Sequence, residues 1–423
     1  MFEIKGKVTT AICFATVVEE EAIEQIRRMC DYPITEGSRV RIMPDVHAGK
    51  GCTIGTTMTI VDKAVPNVVG VDIGCGMYTV DLGKGEIDLP RVDEAAHFIP
   101  SDMNVWEGRK EHFDLTGLRC YRELQDAKRL GRSLGTLGGG NHFIEIDRAA
   151  DGTQYLVIHS GSRNLGKQVA EIYQKMAVEL AHGKGRLFEA RDALIARYKA
   201  EGRRKEIQAA VQELVKSFRE TEPEIPADLC FLYGRYLEDY LHDVEICQRF
   251  ACRSRELMAE ILLDRAGLTG RDGFHTIHNY IDTQEMILRK GAIAAHEGEK
   301  VLIPINMRDG SVLAVGRGNP EWNYSAPHGA GRIMSRTRAK ETLSMEDYQT
   351  AMQGIYTTSV NAATLDEAPM AYKSLEDIIG VIRDSVDVIE VLKPIYNFKA
   401  DDSKKPWKKK GENGGEPEED DED

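Results

Sequence analysis

Apolar positions recur along this chain at two periods, and the changes of period divide it. VTTAICFATVV (8–18) is β-branched and apolar and predicts a strand. The next segment, EEEAIEQIRRMC (19–30), sets Ile23, Ile26 and Met29 three residues apart behind an acidic start and predicts a helix. Two short apolar runs follow, VRIM (40–43) and NVVGVDI (67–73). They read as buried strands running into glycine-rich polar segments, PDVHAGKG and GCGM. FIEI (143–146) and YLVI (155–158) flank DRAADGTQ, whose Asp-Gly pair signals the turn of an antiparallel hairpin. The symmetric register pairs Ile146 with Tyr155 and sets His142 opposite His159. A second hairpin is predicted for KVLIPIN and SVLAVGR around MRDG, then a helix over IMSRTRAKETL and a last apolar run in DVIEVLKPIYNFKADD.

Between about Gly166 and Gly267 the period is helical, and the segment reads as an amphipathic layer over a core. Strands and helices interleave with no solenoid repeat, so the expected fold class is α+β, one large domain rather than a string of modules. Periodicity ends near residue 400, and the charged segment 401–423 is expected to be disordered.

Composition narrows the function classes. Hydrophobic residues at 42% and charged residues at 29% are ordinary for a globular chain. No apolar run approaches the ~20 residues of a membrane span, and MFEIKGKVTT lacks a signal-peptide pattern, so no membrane association and a cytoplasmic location are expected. Eight cysteines without a CxxC pair read as reduced thiols. A net charge of −14, much of it in the last residues, argues against a globally basic nucleic-acid binder and leaves room for a local basic site.

Candidate chemistry collects on four of the eleven histidines. His97, His112, His182 and His242 sit in ordinary helical or polar surroundings. His142 follows a triple glycine, and His159 ends YLVI. With Asp72 and Cys75 of GVDIGCGM, and His278 of IHNYID, they form a thiol, imidazole and carboxylate set suited to a divalent metal. His328, in SAPHGAGR, is flanked by residues too small to block its ring. Glycines there let backbone N–H groups face an anion at the start of the next helix, and Arg332 would add a phosphate contact from its first turn. Such an environment suits a neutral histidine attacking phosphorus.

At these residues the sequence resembles the RtcB-type RNA ligases. The likeness runs in order through MPDVHAGKG, VVGVDIGCGM, LGGGNHFIEI, HSGSRNLG, HNY, NYSAPHGAGRIMSR and EAPMAYK, spanning roughly residues 40–399. It implies an RtcB-like domain over 1–400, with mixed and antiparallel sheets around a central metal cleft and a helical layer. It implies GTP and two manganese ions, held by Asp72, Cys75, His142, His159 and His278 with the cysteine bridging. His328 becomes the residue that takes GMP. Asn141 and Arg332 match positions near the guanylate phosphates, Arg163 one placed for RNA phosphate, and Glu145, Tyr372 and Lys399 positions around guanine. The implied partners are RNA ends bearing a 3′-phosphate or 2′,3′-cyclic phosphate and a 5′-hydroxyl, with an archease-type activator also implied.

The expected reaction joins such ends through a histidine–GMP intermediate and an RNA-3′-pp-5′-G intermediate, in RNA repair or tRNA splicing. Two places depart from the family's frequent pattern. Pro304, Ile305, Asn306 and Met307 stand where Pro-Gly-Ser-Met is common, and Asn164 replaces a glycine. A dinuclear metal-dependent phosphoesterase would use the same ligands but leaves His328, Glu145 and Tyr372 without a role. A non-catalytic RNA-binding protein of the same fold would not need the complete ligand set.

Overall fold

The structure is a computed structural model and describes residues 1–400 except Lys50 and Glu220; the segment 401–423 lies outside the described residues. Two large sheets organise it. The first has six strands in the order Phe2–Lys5, Thr10–Cys13, Val40–His47, Ile54–Thr59, Ile287–Lys290 and Asn279–Asp282. Its neighbours are antiparallel except Thr10–Cys13 beside Val40–His47. The helix Glu20–Cys30 supplies the connection a parallel pair requires. Its first turn is acidic and its last turn basic, which suits the helix dipole, and Ile26 and Met29 are buried.

The second sheet is antiparallel throughout. Its seven strands run Gly273–Ile277, Gly76–Gly83, Gln154–Ser160, Phe143–Arg148, Val386–Lys399, Gly310–Gly316 and Lys300–Asn306. Leu302 N on the last strand donates to Thr276 Oγ1 on the first at 3.2 Å, so the sheet curls on itself. Met77, Phe143, Val157, Leu302, Leu313 and Leu392, drawn from strands around the curl, fill its inner face. The outer face, with Val80, Ile144, Ile146, Leu156 and Ile158, packs under the helix Leu89–Phe98 and the long helix Gly234–Ala266. This alternation of inward and outward residues is the period of two that the sequence displays. No described helix is long and apolar enough to cross a membrane.

Several expectations are corrected. NVVGVDI is not a strand: Pro66–Val69 is one helical turn, begun by a proline that fixes φ and needs no partner for its missing N–H. Cys75 therefore precedes the strand Gly76–Gly83 instead of ending one. The VRIM strand runs on through Pro44 and Asp45 to His47, with its ladder interrupted between Ile42 and His47. In the 166–267 region, Asn164–Ala181 and Gly234–Ala266 cover the core. Lys184–Ala200 buries only Gly185 and Leu187, and Ile207–Ser217 buries no described residue, so these two do not extend the layer. Charged residues are spread around Lys184–Ala200 and leave it no core-facing stripe, whereas Ile207–Ser217, with only Glu213 and Lys216 charged, packs against that helix instead of the core.

Arg255 ties the long helix to the second sheet. It is fully buried, and its Nη1 donates to Gly74 O at 2.8 Å and Ser160 O at 2.6 Å, the residues beside Cys75 and His159. Arg255→Ala would leave a cavity and two unpaired carbonyls, a loss of about 3–5 kcal/mol. Urea unfolding should show that loss as a lower midpoint at unchanged slope.

Candidate active site

Five side chains converge at one rim of the curled sheet. Cys75 Sγ lies 3.4 Å from His142 Nε2 and 3.3 Å from His159 Nε2. His159 Nε2 is 3.3 Å from His278 Nε2, and His142 Nε2 is 3.1 Å from Asp72 Oδ2. Cys75 and the three histidines are buried, while Asp72 is partly exposed. Gly161 permits the approach, since a Cβ there would stand 1.9 Å from Asp72 Oδ1.

The hairpin exists, with a register one residue from the symmetric one. Asp147 pairs with Tyr155 and Phe143 with His159, so His142 falls just beyond the ladder. The Asp-Gly turn places three residues, Ala150 to Gly152, between Ala149 and Thr153, whose Ala149 N→Thr153 O bond closes it, and this odd loop length sets the pairing. The two imidazoles still meet, edge to face, with centroids 5.2 Å apart. His278 continues the cluster from a break between two strands, where its backbone N–H donates to Cys75 O at 2.9 Å.

Burial lowers the pKa of His159 and His278 well below the ordinary histidine value, and neighbouring imidazoles reinforce it. Burial, then Asp72, pushes the Cys75 thiol well up. Burial also acts to raise Asp72, but the hydrogen bond and charge of His142 outweigh it and the carboxyl is held low. Asn141 O lies 3.2 Å from His159 Nδ1, which fixes the tautomer that turns the Nε2 lone pair into the cluster. Nitrogen lone pairs, a thiol and a carboxylate therefore face one another with few protons to share. That donor set fits a divalent cation of borderline softness.

His328 adjoins this cluster, its ring centroid 4.9 Å from that of His278. Asp45, fully buried, accepts from the His328 backbone N–H at 3.0 Å and sits 2.7 Å from Nδ1. A neutral ring donating Nδ1–H to Asp45 leaves Nε2 as its lone-pair nitrogen. Gly331, at φ +74°, brings its loop against Asp45, whose carbonyl oxygen would lie 2.5 Å from a Cβ there. The next helix is Arg336–Thr342, capped by Ser335, so Arg332 precedes it by four residues and is not in its first turn. Gly331 at positive φ and the bonding of Arg332 to 366–367 keep the chain out of helix.

A cleft opens on His328 and is lined by Asn141, Glu145, Arg332, Tyr372 and Lys399. Three of these are tied together by Glu367, which is buried and contacts Lys399 Nζ, Tyr372 OH at 2.8 Å and Arg332 Nη1 at 3.4 Å. Burial works to raise the Glu367 carboxyl, but Lys399, Arg336 and Arg332 hold it well below the usual range. Arg332 also donates to Asp366 O at 2.7 Å, and its guanidinium lies 5.0 Å from the centre of the Tyr372 ring. Glu145 accepts from Asn397 Nδ2 at 2.6 Å.

Arg163 stands elsewhere. It lines a second and larger cleft of about 2040 Å³, with Asp72, His142 and the basic residues Arg129, Lys167 and Lys340. Its φ of +59° is unusual for a residue with a side chain. The departures noted in the sequence divide between the clefts: Pro304–Met307 line the first and Asn164 the second. Asp45 and Glu367 were not singled out from sequence, although both lie inside motifs quoted above, MPDVHAGKG and EAPMAYK. Single carboxyls in such segments read as turn or surface residues until burial and partners are known.

Comparison with known proteins accords with this arrangement. The family model for "tRNA-splicing ligase RtcB" matches residues 25–117 and 102–400. The RNA-splicing ligase RtcB of Escherichia coli K12 is 29% identical, covering 90% of this chain and 95% of its own length. The tRNA-splicing ligases RtcB of Aeropyrum pernix and Archaeoglobus fulgidus are 27% and 25% identical over 80% and 86% of this chain. A match of this extent, on a chain that folds to gather the histidine and thiol cluster beside His328, places the protein in the tRNA-splicing ligase RtcB family.

Proposed function

We propose that the protein is a GTP-dependent RNA ligase that joins a 3′-phosphate or 2′,3′-cyclic phosphate end to a 5′-hydroxyl end through a guanylylated His328. The observation that carries this is the His328–Asp45 pair, with its free ring nitrogen beside the thiol and imidazole cluster and at the mouth of a cleft lined by Tyr372, Arg332 and Lys399. RNA as substrate class rests on the names of the relatives. A phosphoesterase could use such a histidine as a general acid but would leave Glu145 and Tyr372, on the wall of the same cleft, without a role.

In the first step His328 Nε2 attacks the α-phosphorus of GTP. A P–N bond forms and pyrophosphate leaves. Asp45 holds Nδ1–H throughout and stabilises the charge the ring gains on bonding to phosphorus, as the buried aspartate of a catalytic triad does. The RNA 3′-phosphate then attacks that phosphorus and releases His328, and the 5′-hydroxyl finally displaces GMP from the activated end. A 2′,3′-cyclic phosphate must first be hydrolysed to the 3′-phosphate. Asp72, Cys75, His142, His159 and His278 would hold divalent cations, manganese in this proposal, which supply charge neutralisation at the phosphoryl oxygens.

Tyr372 offers the nucleotide an aromatic face and Glu145 a carboxyl for the guanine N–H edge. Glu367 keeps Arg332, Tyr372 and Lys399 in place around it. The second cleft, with Arg163, Arg129, Lys167 and Lys340, meets the cluster on its Asp72–His142 side and suits a polyanionic strand.

The test is to incubate the protein with GTP, manganese and two oligonucleotides, one ending in a 3′-phosphate and the other beginning with a 5′-hydroxyl. A joined product is expected, and its absence across metals would overturn the proposal. Labelled GTP should leave an acid-labile adduct on wild type and none on His328→Ala. Asp45→Asn should keep the fold but slow adduct formation by about 100-fold or more, by analogy with the loss of a triad aspartate. Metal loading displaces the proton of the Cys75 thiol. Apparent manganese affinity should therefore rise with pH below that raised pKa, by up to about tenfold per unit, and titration calorimetry should record proton release.

A further inference from the structure

The strand Phe143–Arg148 carries two carboxyls where its pattern calls for apolar side chains. Ile144 and Ile146 face the outer core. Phe143, Glu145 and Asp147 point into the curl, among Met77, Val157, Leu302, Leu313 and Leu392. Asp147 is wholly buried, and neither of its oxygens has a hydrogen-bond partner. Glu145, two residues along on the same face, is almost as deeply buried but reaches the wall of the His328 cleft.

A carboxylate without donors in an apolar interior is poorly tolerated, and two adjacent carboxyls there cannot both ionise. The pair must therefore keep a proton. Burial raises both groups, Asp147 to about 7 and Glu145 well above its ordinary value, the latter also through the charge of Asp147. The groups around them do not remove that need. Asn397 donates only to Glu145, Lys399 is paired with Glu367, and Lys393 is exposed with its Nζ directed to Asp309 O. Glu145 and Ser311 act to lower Asp147 but do not outweigh its burial, Tyr155 is directly across the ladder, and His159, diagonal to Glu145, is kept neutral by burial.

The guanine edge offers two donors, N1–H and the exocyclic amine. A protonated carboxyl meets them poorly, because one of its oxygens carries a hydrogen. We propose that Asp147 takes the proton of Glu145 when the base arrives, so that Glu145 meets guanine as a carboxylate while the pair keeps one proton and one negative charge. The O–H bond on Glu145 breaks, an O–H bond forms on Asp147, and nothing is exchanged with solvent. Asp147 is then a positioning residue for base recognition. The inference rests on the proposed placement of guanine against Glu145.

The experiment is titration calorimetry of GMP into the full chain, with chelator present to keep metal linkage out, at a pH of about 8. Two buffers of different ionisation enthalpy are compared. Wild type should give equal enthalpies in both, meaning no net proton change. Asp147→Asn should release one proton per GMP, with affinity rising about tenfold per pH unit while Glu145 stays protonated in the free protein. GMP-selective binding with the same proton balance and affinity in both proteins overturns this inference alone. Wild type that fails to bind GMP, or binds AMP as tightly, overturns the guanine placement and this inference with it. Should the variant not fold, infrared difference spectra of wild type decide. The protonated-carboxyl band should shift on adding GMP and remain, and its disappearance would overturn the proposal.

Discussion

The structure depends on holding unprotonated lone pairs against one another in a buried place. Cys75, His142, His159 and His278 present sulfur and nitrogen to a common centre within hydrogen-bonding distance. The Cys75 thiol has one proton to offer two ring nitrogens, and the remaining lone pairs oppose one another unless a cation occupies the middle, so the surrounding fold must be rigid enough to impose the arrangement. The rigidity has identifiable sources. Cross-strand pairing fixes His159, Arg255 clamps the backbone on either side of the cluster, and Asn141 O sets one ring's tautomer.

Around that centre the chain places two unlike clefts. One is walled by an aromatic ring, carboxyls and tethered cations. The other is wider and basic. They meet the cluster from different sides, the first through His159, His278 and His328 and the second through Asp72 and His142. The proposed reaction, which would move a nucleotidyl group from a small molecule to a polymer end, needs both approaches to one reactive point. Local basic residues also reconcile a polyanionic partner with a chain of net charge −14, since binding responds to the field of the cleft rather than the total.

Buried carboxyls do much of the positioning. Asp45 orients His328, Glu367 gathers Arg332, Tyr372 and Lys399, and Asp243 accepts from Tyr173 OH, Arg119 N and Cys120 N far from the site. Each has a cation or hydrogen-bond donors on at least one oxygen, with Asp45 held through Oδ2 alone. Asp147 stands apart, buried and without a hydrogen-bond partner, which is why its neighbour's proton becomes informative.

The sequence by itself determined the α+β class, the two hairpins, most of the core-covering helices and the identity of the thiol and imidazole set. Those features rest on local period and turn chemistry, which neighbouring residues encode. It could not determine the hairpin register to one residue, because a turn signal spans several registers that differ only in long-range packing. Nor could it show that NVVGVDI turns as a helix, that Arg332 lies before its helix, or that Asp45 and Glu367 are buried partners of residues about 280 and 30 positions away. Those were decided by tertiary structure alone. Burial and the meeting of distant segments set whether a carboxyl is a solvated turn residue or the charge that holds a site together.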